Sequence, residues 1–599
     1  MQSTTDTGRV SPALRRMPHI IIPLLALAVL LASCSTGSSP GGNEDTLAAA
    51  RSAAGMVSSA SEEATTAGVT MLRDGGNAID AAVATGFALA VTLPQAGNLG
   101  GGGFMVIRMA DGRTTTIDFR EMAPAAATRD MYLDSSGGFV PERSQLGALA
   151  AGVPGTPAGL LLALKRYGTK TPAQVLTPAI TLARDGFTVH PRLAADFAAK
   201  LADFRRFPST LRAFAGDSGL PRPGSLLRQP DLAATLERIA ANGAAGFYQG
   251  RTADLIAAEM RRSGGIITHE DLKNYRAVER PPVIGSYRGD TIISMPPPSS
   301  GGVLLVQMLN MIERYDFSSI PFHSARHAHI LAEAMRRAYA DRAEHLGDPD
   351  FWNVPVEKLT SKDYARRRMS TFDPLRATPS DRVSHGDSSA LYRDSLLHAH
   401  ESPQTTHYSV IDRWGNCVSV TVTLNASFGS KLVVDGAGFL LNNEMDDFSA
   451  KPGAPNLYGL IGNEANAIAP GKRMLSSMTP TIVTRRGQPL MVLGSPGGST
   501  IITTVLQVIQ NQTDYGMDLP EAVEAPRLHH QWRPDTLFYE TGTFTNGAID
   551  SLTRAGYSLV ERTEPSGRVD AIRVEKDEYD DRIYLGWSDR RGYGKAMGE

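Results

Sequence analysis

Residues 401–412 read ESPQTTHYSVID, and Thr405 and Thr406 fall where a polar run without a core pattern gives way to a strand-like alternation. A hydroxyl is a weak nucleophile near neutral pH, so a working one needs a base within reach. The next run, CVSVTVTL from Cys417, supplies further hydroxyls. If the two runs form a hairpin turning at Arg413-Trp414-Gly415-Asn416, opposed residue numbers sum to about 828. Thr405 then faces Thr423, and Ile411 faces Cys417. In the second strand Val418, Val420 and Val422 share one face, while Ser419, Thr421 and Thr423 share the other. The hydroxyls converge at the Thr405 end. The competing reading is a strand in which threonine is simply common, or a pairing slipped by one residue.

Other chemistry-bearing motifs separate on spacing. GSPGGST (494–500) lacks the lysine of a phosphate loop. Its Gly497 and Gly498 follow a strand and precede a helical run, where freed backbone N–H groups could be aimed at a developing oxyanion. GNLGGGGF (97–104) fails the dinucleotide fingerprint and reads as a glycine-dense turn. GDSG (216–219) copies the nucleophile motif of trypsin-like proteases, but STLRAFAGDSGLPRPG reads as a helix end and turn with no cysteine-paired barrel around it. The other glycine–serine stretches contain no G-x-S-x-G elbow. The pairs His327/His329, His398/His400 and His529/His530 lack H-E-x-x-H or Cys/His spacing, so no metal is expected.

The elements that must hold such a site come from 599 residues, enough for a large core or two to three domains. Hydrophobic content of 42% against 20% charge excludes wholesale disorder, and Lys+Arg 60 against Asp+Glu 62 gives no basic surplus for nucleic acid. A small-molecule partner fits better. From Ala48 to about Val383 the texture is helical, broken by AGVPGTPAGL (151–160) and MPPPSSGG (295–302). In SARHAHILAEAMRRAYADRAEHLGD, Ile330, Leu331, Ala334, Met335, Ala338 and Tyr339 fall on one helical face. After Thr405 short β-rich runs follow: HYSVID, CVSVTVTL, GFLLNN, TPTIVTRR and PLMVLGSP. This predicts an α/β globule whose sheet comes heavily from the C-terminal third.

The N-terminus carries Arg9, Arg15 and Arg16 before IIIPLLALAVLLAS, an apolar run of about 14 residues, too short to span a bilayer but suited to an export signal. Leu31-Ala32-Ser33-Cys34 resembles a bacterial lipobox. Cleavage after residue 33 would leave Cys34 acylated, with 34–47 as a flexible tether to a membrane surface. An ordinary secretory signal with an incidental cysteine is the alternative. The second cysteine, Cys417, sits in an apolar alternating run and is expected to be buried and unreactive.

The blocks DAAVATGFALAVTLPQAGNLGGGGF, TIDFREMAP, GVPGTPAGL, MPPPSSGG, QTTHYSVID, LNNEMDDFSAKPG, KRMLSSMTPTIV and GSPGGSTIITTVLQ, in that order, resemble γ-glutamyltransferases of the N-terminal nucleophile hydrolase superfamily. The resemblance implies an α+β fold, a four-layer αββα sandwich, and a precursor that cleaves its own Gln404–Thr405 bond. The products would be a large subunit, 48–404, and a small one, 405–599. Thr405 would be nucleophile and, through its freed α-amine, base. Thr423 would orient it, and Gly497 and Gly498 would form the oxyanion hole. Arg120, Ser476 and Ser477 would hold the substrate α-carboxylate. Asn425, Glu444 and Asp447 would hold its amine and carboxylate ends. Position 444 varies in the family between glutamine and glutamate. Tyr458, in KPGAPNLYGLIGNEANAIAPGK, would gate the site from a lid loop. No cofactor is implied. The lipobox departs from the cleaved secretory signal usual in bacterial members. A glutaryl- or cephalosporin-type acylase of the same superfamily is the nearest alternative.

Overall fold

A computed structural model describes residues 48–215, 219–386 and 405–599. The signal, the tether with Cys34, most of GDSG, His398 and His400, and Gln404 lie outside the described residues.

Two seven-stranded sheets stack face to face. One runs in the order Lys595–Gly598, Met56–Ser59, Thr405–Ile411, Cys417–Thr423, Gly102–Arg108, Thr114–Phe119 and Val278–Arg280. The other runs Ala50–Ser52, Arg582–Ser588, Asp570–Lys576, Gln488–Gly494, Thr481–Arg485, Asp290–Ser294 and Val283–Tyr287. Met56, Val106, Ile411 and Cys417 of the first sheet pack between the layers against Ile293, Ile482, Val492 and Ile572 of the second. On the outer side of the first sheet, Val418, Val420 and Val422 join a core with helix Ala78–Thr92 and its neighbours. The second sheet is covered by helices Gly301–Ile312, Ala325–His345 and Thr500–Thr513. Burying both sheets on both faces gives the four layers αββα.

The hairpin has the expected register: Thr405 opposes Thr423, and Ile411 opposes Cys417. Asp412 fixes its turn, accepting from the backbone N–H of Trp414 and Asn416 at 3.0 and 2.9 Å. Because Cys417 and Ile411 lie between the sheets, the odd-numbered hydroxyl face looks inward to the sheet–sheet layer. Cys417 is buried there, and desolvation pushes its thiol up to about 12, so it carries no reactive thiolate.

Three expectations need correction. Half of the fourteen strands in these sheets come from Ala50–Ser294, so the N-terminal part is far less helical than its texture suggested. GNLGGGGF is only partly a turn, for Gly102 and Gly103 open a strand. A Cβ on Gly102, opposite Thr423, would lie 2.5 Å from the Phe119 carbonyl oxygen and 2.6 Å from the Glu121 carboxylate. The glycine therefore serves close approach. GFLLNN forms only single bridges, Leu440 to Val433 and Leu441 to Gly100.

Candidate active site

The hydroxyl pair comes together at the strand ends: Thr405 Oγ1 donates to Thr423 Oγ1 at 3.3 Å. Thr423 Oγ1 also accepts from the Asn425 N–H at 2.8 Å, which fixes it from the far side. Asn425 has a left-handed backbone, φ 75°, and its amide donates to the Asn443 carbonyl at 3.0 Å. One side chain the sequence reading passed over, His407, stiffens the same face. Its ring lies 2.9 Å from Thr421 Oγ1 and 3.0 Å from Ser409 Oγ. Burial pushes its imidazole down to about 3, so it stays neutral. Thr406 points to the opposite face, and its buried hydroxyl has no hydrogen-bond partner among the described residues.

Gly497 and Gly498 follow strand Gln488–Gly494 and precede helix Thr500–Thr513. Both have positive φ, 136° and 56°, which only glycine adopts freely. A Cβ on Gly498 would sit 2.5 Å from the Tyr458 ring, so the lid tyrosine lies directly on that glycine. Its hydroxyl donates to the Asn425 carbonyl at 2.7 Å. The lid run is thereby tied to the loop that orients Thr423.

A buried charge cluster forms the opposite wall. Arg120 pairs with Glu444 at 2.7 Å and Asp447 at 2.5 Å, with Glu121 at 3.5 Å. Burial opposes its charge, but Glu444, Glu121 and Asp447 more than compensate, and its pKa is raised. Burial pushes Glu444 well above the carboxylate range despite Arg120, with Glu121 and Asp447 adding to the rise. Glu121, again chiefly through burial, is pushed up to about 7. Three acids around one guanidinium cannot all ionise cheaply in a dry site. Ser476 Oγ accepts from the Met478 N–H at 3.1 Å, and Ser477 Oγ accepts from Arg342 at 3.3 Å.

These groups enclose one small cavity of about 20 Å³. Thr405, Thr423, Asn425 and Gly498 line one side; Arg120, Glu444, Asp447, Ser476 and Ser477 line the other, with Tyr458 closing it. Gly497 adjoins through Gly498 without lining it. Arg342, Leu460, Met478 and Ile501 complete the wall and were not foreseen. Arg342 lies in ADRAEHLGD on the predicted helix, whose polar face is buried as fully as its apolar one.

Comparison with known proteins gives the family. Residues 64–599 match the family model described as gamma-glutamyltranspeptidase. A glutathione hydrolase proenzyme of Escherichia coli (strain K12) is 50% identical over 563 residues, covering 92% of this chain and 95% of that protein. The gamma-glutamyltranspeptidase structure from Helicobacter pylori is 48% identical with a TM-score of 0.54, covering 56% of this chain and 96% of that one. A cephalosporin acylase structure from Bacillus halodurans is 27% identical with a TM-score of 0.80, covering 95% and 99%. With the matched model spanning nearly the whole described chain, this protein belongs to the gamma-glutamyltranspeptidase family.

Proposed function

We propose that the chain is a self-processing γ-glutamyltransferase and glutathione hydrolase. The observation that carries the reading is the meeting of Thr405 and Thr423 in one cavity with Arg120, Glu444 and Asp447. A nucleophile thus faces a receptor of both signs, as a γ-glutamyl group with its α-amine and α-carboxylate requires. Proenzyme names among the relatives support the processing step.

In the intact chain the Thr405 nitrogen is an amide and cannot act as a base. Cleavage of Gln404–Thr405 would leave fragments 48–404 and 405–599 associated and free an α-amine with pKa about 7.7–8.0, suited to a base near neutral pH. That amine takes the Thr405 hydroxyl proton as Oγ1 attacks the γ-glutamyl amide carbon. Gly497 and Gly498 N–H groups stabilise the oxyanion. Collapse expels the amine half, protonated by the α-ammonium, and leaves a γ-glutamyl ester on Oγ1. Water then gives glutamate; an amino acid or peptide amine gives a new γ-glutamyl amide. Thr423 orients the nucleophile. Arg120, Ser476 and Ser477 take the α-carboxylate. Asn425, Glu444 and Asp447 take the amine and carboxylate ends. The cavity holds about one water, so Tyr458 and its loop must move to admit substrate. Neither metal nor cofactor enters these steps.

We also propose export, with acylation at Cys34 holding the enzyme to a membrane surface after removal of residues 1–33.

The test is turnover of γ-glutamyl- against glutaryl-p-nitroanilide by the processed protein. Preference for the γ-glutamyl compound supports the reading. Preference for the glutaryl compound, which lacks the α-amine, assigns the chain to the acylases that one solved structure resembles.

A further inference from the structure

Arg342, on helix Ala325–His345, is a buried guanidinium, 5% exposed, that lines the cavity. Among the described residues no carboxylate pairs with it. Arg120, by contrast, is already held by Glu444 and Asp447. Asp447, on the same cavity, attracts Arg342 from beyond ion-pair distance, and Arg120 repels it. A buried guanidinium without an ion-pair partner is costly, and an anion entering the cavity would relieve that cost. Among the described residues the side-chain hydrogen-bond partners of Arg342 are hydroxyls: Nη2 donates to Ser477 Oγ at 3.3 Å, and Nε donates to Ser300 Oγ at 3.0 Å. Ser300 Oγ in turn donates to the Ser476 carbonyl at 2.7 Å, reinforced by the Ser300 N–H at 2.8 Å. The Pro298 carbonyl accepts from the Ser476 N–H at 2.9 Å. One arginine therefore grips the Ser476–Ser477 pair through two arms, one of them running through the MPPPSSGG motif.

We infer that Arg342 is the positioning residue and second cation of the carboxylate subsite. A guanidinium only donates, so Ser477 Oγ is committed to accepting from it. The Ser477 hydroxyl proton is then left to point into the cavity, toward a carboxylate oxygen. The inference rests on the γ-glutamyl reading above and adds to it a second positive charge, beside Arg120, facing the α-carboxylate. Arg120 shares its charge with Glu444 and Asp447 at ion-pair distance, whereas Arg342 has no carboxylate that close among the described residues.

The test measures kcat and KM of the processed protein on γ-glutamyl-p-nitroanilide for wild type, Arg342→Gln, Ser477→Ala, the double variant and Ser300→Ala. Arg342→Gln should raise KM about 10- to 100-fold, the range for losing a hydrogen bond to a charged group, with kcat within about threefold. In the Ser477→Ala background the same change should cost markedly less, because the two act as one unit. Ser300→Ala keeps the guanidinium and should raise KM about three- to tenfold, so it carries the test if Arg342→Gln does not mature. Losses in kcat alone, full additivity with Ser477→Ala, or an unchanged KM in Ser300→Ala would overturn the inference. A wild-type protein that does not cleave the γ-glutamyl substrate would instead overturn the reading beneath it.

Discussion

Thr423→Val is nearly isosteric yet removes the hydroxyl on which two donors converge. Thr405 Oγ1 loses its partner at 3.3 Å, a long contact worth about 0.5–1.5 kcal/mol at most. The Asn425 N–H loses its acceptor at 2.8 Å, and leaving a buried donor unpaired costs about 1–3 kcal/mol. Asn425 already sits at φ 75° and holds the Tyr458 hydroxyl through its carbonyl, so its shift would carry into the lid. Stability should therefore fall by about 1–3 kcal/mol, a modest loss for a domain with this much buried core. The functional loss should be larger. Aligning a nucleophile with its base is worth about 10²- to 10⁴-fold, so kcat should fall at least about 100-fold. Thr423→Ser retains the oxygen and should stay within about tenfold of wild type. The assay pairs gel-resolved processing over time with turnover of γ-glutamyl-p-nitroanilide by whatever fraction matures. If Thr423→Val matures and turns over within about twofold of wild type, the hydroxyl pair does not orient the nucleophile.

Other expectations follow from single contacts. Thr405→Ala should remain one uncut, inactive chain, whereas Thr406→Ala should still yield cleaved protein with stability unchanged or raised, because the Thr406 hydroxyl is buried without a partner; comparison by gel and thermal melt decides it. Tyr458→Phe deletes the bond that ties the lid to Asn425 and should shift the lid toward open by about two- to tenfold, read as faster inactivation by a bulky affinity label aimed at Thr405. Asp570 lies buried beside Ser58 Oγ at 3.0 Å, and burial pushes its carboxyl up to about 7. The folded state then binds more protons than the unfolded one, so this group's contribution is complete below the unfolded value and is lost as pH rises toward about 7. Urea melts across pH 4–8 should show the decline, and Asp570→Asn should flatten it. On the proposed export and acylation, Cys34→Ala should move the protein from the membrane pellet to the soluble fraction; an unchanged distribution would contradict that proposal.

Much of this arrangement was legible before any coordinates. The hairpin register could be proposed from alternation and one turn, and the structure settles it against the slipped alternative. Gly497 and Gly498 could be read as glycines free to bring backbone N–H groups close to a ligand, and both have positive φ. The residue types of Arg120, Glu444 and Asp447 said little alone; only the family likeness joined them, since Arg120 lies more than 300 positions from the other two. What remained hidden depends on tertiary burial. Helix Ala325–His345 shows a good apolar stripe, so Arg342 reads as solvent-facing, yet packing against Ser300 and Ser477 buries it. Glu121 is similarly silent beside Arg120. Gly102 and Gly103 read as turn residues because local propensity cannot report a carbonyl 2.5 Å from a missing Cβ. The strands between Ala50 and Ser294 were obscured in the same way, their short runs embedded in alanine-rich helical texture.

The central claim is that Thr405 becomes a chain terminus and then the attacking group. N-terminal sequencing of the smaller fragment, together with its mass after brief exposure to a γ-glutamyl donor, tests it most directly. The account predicts a fragment beginning Thr-Thr-His that carries one γ-glutamyl group on Thr405. An uncut chain that still turns over the donor, or a fragment acylated elsewhere, would contradict it.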